Sequence, residues 1–242
     1  MQGKLLSQFE SKYFFFEGRD AMIIYPSCPS NGKLMLKTEY LSAFPHFEVA
    51  MLRRGYTLCF LSHPTRWAPD SEIQVTAAFV RHVAEELGME PKCIAIGMSC
   101  GGLQALRLAE MYPELISVLF LDAPVTNLLS LAGLGASTCK SNQTFWDEMV
   151  KTYGFTRSSI ICFRKSPIDN MAPLIENNIP IILVYGDADD VVLYEENGQI
   201  LEDYYREKGG DLCIVRVPGR WHHPHSMEDP TPIIEFVEAH LN

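Results

Sequence analysis

The pentapeptide Gly97-Met98-Ser99-Cys100-Gly101 constrains this chain more than any other stretch. A short apolar run, Cys93-Ile94-Ala95-Ile96, leads into it, and a helix-like pattern from Gly102 to Tyr112 leads out. Strand, sharp turn with a serine at its tip, then helix is the setting that a G-x-S-x-G turn needs. Glycines on both sides let strand and helix approach closely. Ser99 would then stand at a helix N-terminus, where unpaired N–H groups and the helix dipole favour a developing negative charge. The same five residues also fit an ordinary small-residue turn with a solvent-facing serine, so the rest of the chain has to decide.

Around this turn, short apolar runs alternate with helical patterns. Lys12 to Phe16 and Ala21 to Tyr25, joined by the turn Gly18-Arg19-Asp20, read as an opening hairpin. Lys37 to Arg54 has a helical pattern, broken near Pro45 and closed at Gly55. Tyr56 to Leu61 reads as a strand. Ser71 and Gln74 form a capping box ahead of a helix that carries Ile73, Ala77, Val80, Val83 and Leu87 on one face. Ser117 to Leu121, Ile181 to Tyr185 and Leu212 to Val217 are further apolar strands, separated by helical patterns at Leu193 to Glu207 and from Thr231 onward. Strands apolar on both faces and separated by helices make a mostly parallel sheet with helices on both faces, an α/β architecture. Functional groups then belong where the strands end at their carboxyl edge. Residues 123–180 are polar and irregular, and read as a small cap insertion within a single domain spanning 1–242.

The 242 residues, 47% of them apolar, suffice for one large core. A net charge of −10 excludes the basic footprint of a nucleic-acid binder. No apolar run approaches the ~18 residues of a membrane span, and Met1 to Asp20 lacks the apolar centre of a signal peptide. Neither nucleic acid nor membrane is an expected partner. The seven cysteines, Cys28, Cys59, Cys93, Cys100, Cys139, Cys162 and Cys213, are odd in number and include no CxxC pair. They read as reduced thiols of a cytoplasmic protein.

A serine hydroxyl is a poor nucleophile at neutral pH. It needs a base to take its proton, and the base needs an acid to hold its tautomer. Two later strand ends carry such groups. Gly186-Asp187-Ala188-Asp189-Asp190 follows Ile181 to Tyr185, and His222-His223-Pro224-His225 follows Leu212 to Val217. The histidine run has no helical i, i+4 pair, and Pro224 stiffens it, so no metal site is expected there, nor any cofactor. His46, His63, His82 and His240 read as ordinary surface or loop histidines.

The order Ser, Asp, His resembles that of the α/β-hydrolase superfamily, and the resemblance covers nearly the whole chain. Tyr40 to Pro45, Gly97 to Gly102, Leu121-Asp122-Ala123-Pro124-Val125, Val184 to Asp189 and His222 to His225 are more narrowly similar to a group of compact bacterial esterase-like hydrolases. The superfamily pattern after the acid-bearing strand is a glycine, two residues, the acid, one residue and an apolar pair. Gly186, Asp189 and Val191-Val192 fit it, which makes Asp189 the acid, Asp187 a turn former and Asp190 a solvated residue; Asp122 is the rival acid. Gly219-Arg220-Trp221-His222 fits the pattern before the base, with His222 as base and His223 as runner-up. His225 then packs against or bonds the loop.

The oxyanion hole follows the same logic. One backbone donor is the residue after the nucleophile, Cys100. The second is expected from the loop after an early strand, Pro26-Ser27-Cys28-Pro29. The prolines have no N–H, which leaves Ser27 or Cys28, with Cys28 preferred by position. Lacking the His-Gly-Gly of many lipases, the loop implies a small acyl group. Relatives carry aromatics and an arginine in the stretch matching Leu34-Met35-Leu36-Lys37, which implies a different substrate here. Trp221, beside the base, and Trp67 are expected to line the pocket. The resemblance thus implies a serine esterase acting on a small ester, an acyl group on a sugar being one candidate. A peptidase or thioesterase with the same triad, or a binding protein on a hydrolase fold, are the alternatives, the last disfavoured by the intact Ser, Asp and His.

Overall fold

The computed structural model describes residues 3–135 and 143–241. The reading of Cys139 as a free thiol, and residues 136–142 of the expected cap, lie outside the described residues.

After a short helix α1 (Gly3–Leu6), β1 (Ser11–Phe16) and β2 (Arg19–Ile24) form the expected hairpin, with Phe14 opposite Ala21. The chain turns between them at Glu17 and Gly18, with φ of 47° and 75°. Next in sequence come β3 (Leu34–Lys37), α2 (His46–Leu52), β4 (Thr57–Leu61), α3 (Asp70–Leu87), β5 (Cys93–Met98), α4 (Cys100–Met111) and β6 (Ile116–Asp122). Then follow α5 (Leu128–Leu131), α6 (Gln143–Tyr153), α7 (Ala172–Glu176), β7 (Ile181–Gly186), α8 (Gly198–Lys208), β8 (Leu212–Val217) and α9 (Thr231–Ala239). The eight strands form one sheet in the order β1-β2-β4-β3-β5-β6-β7-β8. β2 runs antiparallel to β4, and β3 to β8 are parallel. This is the mostly parallel sheet that the apolar runs imply.

Alternate residues of each central strand face opposite cores. Ile94 and Ile96 of β5 pack with Phe120, Ile182 and Val184 under α2 (Phe47, Met51) and α9 (Ile233, Val237). Ala95 between them packs with Leu36, Leu119 and Leu183 under α3 (Phe79, Val80), α4 (Leu103, Leu106) and α8 (Leu201). From the stretch after β6, Met149, Ile160 and Leu174 join this second core. Helix α6 is fastened to the loop after β4: Glu148 takes a bidentate pair of hydrogen bonds from Arg66 at 2.9 and 3.0 Å and one from Trp67 Nε1 at 2.9 Å.

The structure departs from the expected helix over Lys37 to Arg54. Leu34 to Lys37 is instead β3, fully buried between β4 and β5, and the helix begins only at His46. Four residues are too few to show a period, and pairing on both sides decides their conformation. Lys37 is fully buried, its Nζ bonded to Glu48 of α2 and 3.4 Å from Met98 Sδ. The stretch therefore cannot face a substrate, contrary to the reading drawn from relatives. The Ser71–Gln74 capping box also fails to form. Helix α3 already starts at Asp70, after Pro69. Among the described residues no helix is long and apolar enough to cross a membrane.

Candidate active site

Ser99 joins β5 to α4 with φ 52° and ψ −120°, a conformation an L-residue adopts at a cost of about 1–3 kcal/mol. Its backbone is held on both sides. The Ser99 N–H donates to Asp122 O at 3.0 Å, and Ser99 O accepts from Gly102 N at 2.9 Å and Val125 N at 3.0 Å. The neighbouring glycines are there because there is no room for a side chain. A Cβ on Gly97 would lie 2.6 Å from Gly102 Cα, and one on Gly102 would lie 2.4 Å from Pro124 Cβ.

Asp189 lies in the turn just past β7. Its Oδ1 accepts the N–H groups of Val191 and Val192, each at 2.9 Å, and its Oδ2 lies 2.8 Å from His222 Nδ1. His222 Nε2 lies 3.1 Å from Ser99 Oγ. A carboxylate facing Nδ1 requires the proton there, which leaves the Nε2 lone pair facing the serine. Burial acts to raise the Asp189 carboxyl. The hydrogen bond and charge of His222, with the two backbone donors, outweigh it and hold the group below its ordinary value. The structure thus brings Ser99, His222 and Asp189 into one hydrogen-bonded chain. His223 is exposed and stacks near Phe44, with ring centroids 6.3 Å apart; its pKa is lowered by partial burial and by His225 and His222.

The rival acid, Asp122, ends β6 and is fully buried. It faces the loop that carries His222 rather than His222 itself. Its Oδ1 takes Arg220 Nη2 at 2.8 Å and lies 3.3 Å from His225 Nδ1, while Oδ2 accepts the Ser226 N–H. Arg220 Nη1 also donates to Ser226 O at 2.9 Å, closing the loop on itself. Gly186 admits this loop, since a Cβ there would lie 2.1 Å from Arg220 O. Asp187 takes Arg216 and the Gly219 N–H, in keeping with a turn role, and Asp190 is exposed.

Cys100 supplies the first N–H of α4, which no carbonyl within the helix can reach. Burial pushes its thiol up to about 11, which keeps it protonated near neutral pH. Cys28 and Ser27 are misplaced for an oxyanion hole. β2 is antiparallel, so its end at Ile24 pairs with Leu58 at the start of β4, the edge of the sheet opposite Ser99. There the Ser27 N–H donates to Leu52 O at 3.3 Å, and Cys28 Sγ lies 3.5 Å from Arg53 O. The early strand whose carboxyl end meets the elbow is β3. Thr38, just after it, donates its hydroxyl to Gly101 O at 2.7 Å, and Glu39 Cβ lies 3.1 Å from the site of a Cβ on Gly101. The loop that lies against the Ser99 turn is therefore Thr38-Glu39-Tyr40, where the chain turns with φ 54° at Tyr40.

Beside this loop lies a cavity of about 490 Å³, lined by Glu39, His63, Arg66, Glu148, Lys151 and Thr152. Arg66 Nη1 reaches the Tyr40 hydroxyl at 3.3 Å. Burial raises the Glu39 carboxyl above its ordinary value, although Gln104 Nε2 donates to it at 2.9 Å. Trp67 does not line this cavity. It is fully buried and packs edge-on against Phe145. Trp221 stands 59% exposed next to His222. His63 is not a surface histidine: its side chain is 3% exposed, between Glu72 and Thr76. The sequence reading misses Glu39, Arg66 and Glu148, and their signals are weak. Glu39 becomes visible only once β3 is recognised. Arg66 and Glu148 are 82 residues apart and meet only in the fold.

The profile of the prolyl oligopeptidase family matches residues 66–242. No curated protein matches the chain. Among solved structures it is similar to a puromycin-hydrolyzing peptidase from Mycobacterium tuberculosis, with 13% identity and a TM-score of 0.70 over 97% of this chain and 38% of that one. It is also similar to MGS-MChE2, an α/β hydrolase from the metagenome of lagoon sediments at Mar Chica, Morocco, with 17% identity and a TM-score of 0.57 over 94% and 98%. A third is a mutant form of the esterase rPPE, with 18% identity and a TM-score of 0.63 over 88% and 74%. The chain spans little more than a third, 36% to 38%, of the peptidase structures it matches. These likenesses show the α/β-hydrolase fold.

Proposed function

Because the chain belongs to the prolyl oligopeptidase family and so to the serine hydrolases, we propose that it hydrolyses small carboxylic esters with polar, sugar-like alcohol groups. The observation that carries the chemistry is the hydrogen-bonded chain Ser99 Oγ, His222 Nε2, His222 Nδ1, Asp189 Oδ2. Ser99 attacks the acyl carbon while His222 takes its proton, and Asp189 stabilises the imidazolium. The oxyanion is received by the N–H of Cys100 and by one from Glu39-Tyr40, each worth about 3–4 kcal/mol in the transition state. His222 then gives its proton to the departing alkoxide, leaving an acyl-enzyme on Ser99. Water, deprotonated by His222, releases the acid.

A cavity of about 490 Å³ beside the Glu39 loop is in the size range of small-molecule sites, and its lining includes Glu39, Arg66, Glu148 and Lys151 but none of Ser99, His222 and Asp189. Its carboxylates and cations can hydrogen-bond hydroxyls. Free thiols at Cys28 and Cys162, both exposed, support a reducing, cytoplasmic setting. The test is a fluorophosphonate probe and an ester panel. Wild type should be labelled and should prefer acetyl to octanoyl esters, and Ser99→Ala should lose labelling and turnover. Full turnover by Ser99→Ala would overturn the mechanism, and an octanoyl preference would overturn the small-acyl reading. Peptide hydrolysis is the second reading, favoured by the family and by the neighbours named as peptidases. Faster turnover of aminoacyl p-nitroanilides than of acetyl esters would select it.

A further inference from the structure

His222, His223 and His225 each present one ring nitrogen within 4.8 Å of the other two. Two of these rings are prepared for metal ligation by the groups behind them. His222 Nδ1 faces Asp189 Oδ2 at 2.8 Å, and His225 Nδ1 faces Asp122 Oδ1 at 3.3 Å. Each carboxylate fixes the proton on Nδ1 and leaves Nε2 with its lone pair. That is the arrangement in which a carboxylate orients a histidine toward a metal and raises its basicity. His225 Nε2 is buried and has no hydrogen-bond partner among the described residues, although its side chain is only 3% exposed. A buried acceptor without a donor is costly unless something fills its place. The rings of His222 and His225 stand nearly perpendicular, with centroids 4.7 Å apart, and His223 lies 4.9 Å from His225 on the exposed side.

We propose that these three histidines bind a zinc-class divalent ion that switches the hydrolase off. Imidazole nitrogens suit zinc, and Zn–N bonds of about 2.0–2.1 Å at the tetrahedral angle place two nitrogens about 3.3 Å apart. The ligand nitrogens lie within 4.8 Å of one another, so they must draw together to bind, and His223 is the exposed member of the three. Water, or the Ser99 oxygen itself, completes the shell. His222 Nε2 cannot hold the ion and accept the Ser99 proton at once, so the occupied protein has no general base. Zinc binding stands on the histidine geometry alone; the loss of activity rests on the serine-hydrolase reading.

The experiment separates the two. Equilibrium dialysis of the tag-free wild-type chain against ZnCl2 should show one saturable zinc per chain at micromolar concentrations. His223→Ala and His225→Ala, checked for native circular dichroism, should each weaken it at least roughly tenfold. In wild type, turnover of p-nitrophenyl acetate should fall in step with occupancy and return with EDTA. No saturable binding, or binding indifferent to both histidine variants, overturns the site. Binding without loss of turnover overturns the assignment of His222 as a ligand. A chain that binds zinc but hydrolyses no ester leaves the site standing and overturns the proposed function instead.

Discussion

Two Asp–His pairs lie side by side at the ends of neighbouring strands, and they have opposite surroundings. Asp189 follows β7 and holds His222, whose far nitrogen meets Ser99. Asp122 ends β6 and holds His225, whose far nitrogen meets no donor among the described residues. The first carboxylate is satisfied by two backbone N–H groups and a histidine. The second is tied to a buried arginine and to the backbone of the histidine loop. The same residue pair therefore faces a serine in one place and ties down a loop in the other. What decides is the group that faces Nε2, together with the charge balance around the carboxylate. Asp122 also accepts the Ser99 N–H on its main-chain oxygen, so one residue holds both the turn at Ser99 and the loop that brings His222 to it.

The largest effect expected from this contrast is catalytic. Asp189→Asn keeps the shape but lets His222 adopt the wrong tautomer, and turnover of an acetyl ester should fall about 10⁴-fold. Its stability loss should stay near the 1–3 kcal/mol of a weakened buried hydrogen bond, about the cost of one unsatisfied group. If turnover drops less than roughly tenfold, Asp189 is not the acid, and Asp122 becomes the candidate again.

The mirror variant should do its damage to folding. Asp122→Asn leaves the Arg220 guanidinium, itself 7% exposed, without its counter-charge. Breaking a buried pair from one side costs about 3–5 kcal/mol, read as a shift of the urea midpoint. Turnover per folded molecule should fall less than in Asp189→Asn. A variant as stable as wild type would mean that Arg220 is held by other groups and that Asp122 does not build the loop. His225→Gln is milder. It removes one bond to Asp122 and spares the arginine pair, for a loss of about 1–3 kcal/mol in the same measurement.

Much of this arrangement is legible in the sequence, for a physical reason. Strands buried on both faces must be apolar throughout, so β5, β6 and β7 show as continuous runs, and the residues just past them can be named by number. Ser99 and Asp189 emerge in that way, whereas His222 follows β8, a half-buried edge strand, and stands out by the histidine cluster itself. Two of the failures, the helix expected over Lys37 to Arg54 and the donor expected at Cys28, share one cause, the early strands. β3 is four residues long and ends in a lysine, whose partner Glu48 comes only with α2, so it reads like the start of a helix. With β3 hidden, β2 stands in as the strand leading to the oxyanion loop, and Cys28 follows from it. The antiparallel direction of β2 puts that loop at the other edge of the sheet. Trp67 fails differently. Its size and its place after a strand suggest a pocket wall, but Glu148, far along the chain, satisfies its N–H and lets the ring be buried.

The smallest effect expected is one of pH, and it sharpens the contrast from the side of Asp189. In the folded protein its carboxyl lies below the ordinary value, because His222 and two backbone donors outweigh the effect of burial. The unfolded chain therefore binds the proton at a higher pH than the native one. Around the ordinary value of about 3.9, unfolding takes up protons, so the contribution of this group to stability is complete above that value and disappears as the pH falls through the lowered native one. Asp189→Asn has no such proton to bind. The difference in urea midpoint between wild type and Asp189→Asn should shrink as the pH falls from about 5 to below about 4. A difference that stays level across that range would mean that the bond to His222 does nothing for the charged form. Asp189 would then hold the base by shape alone.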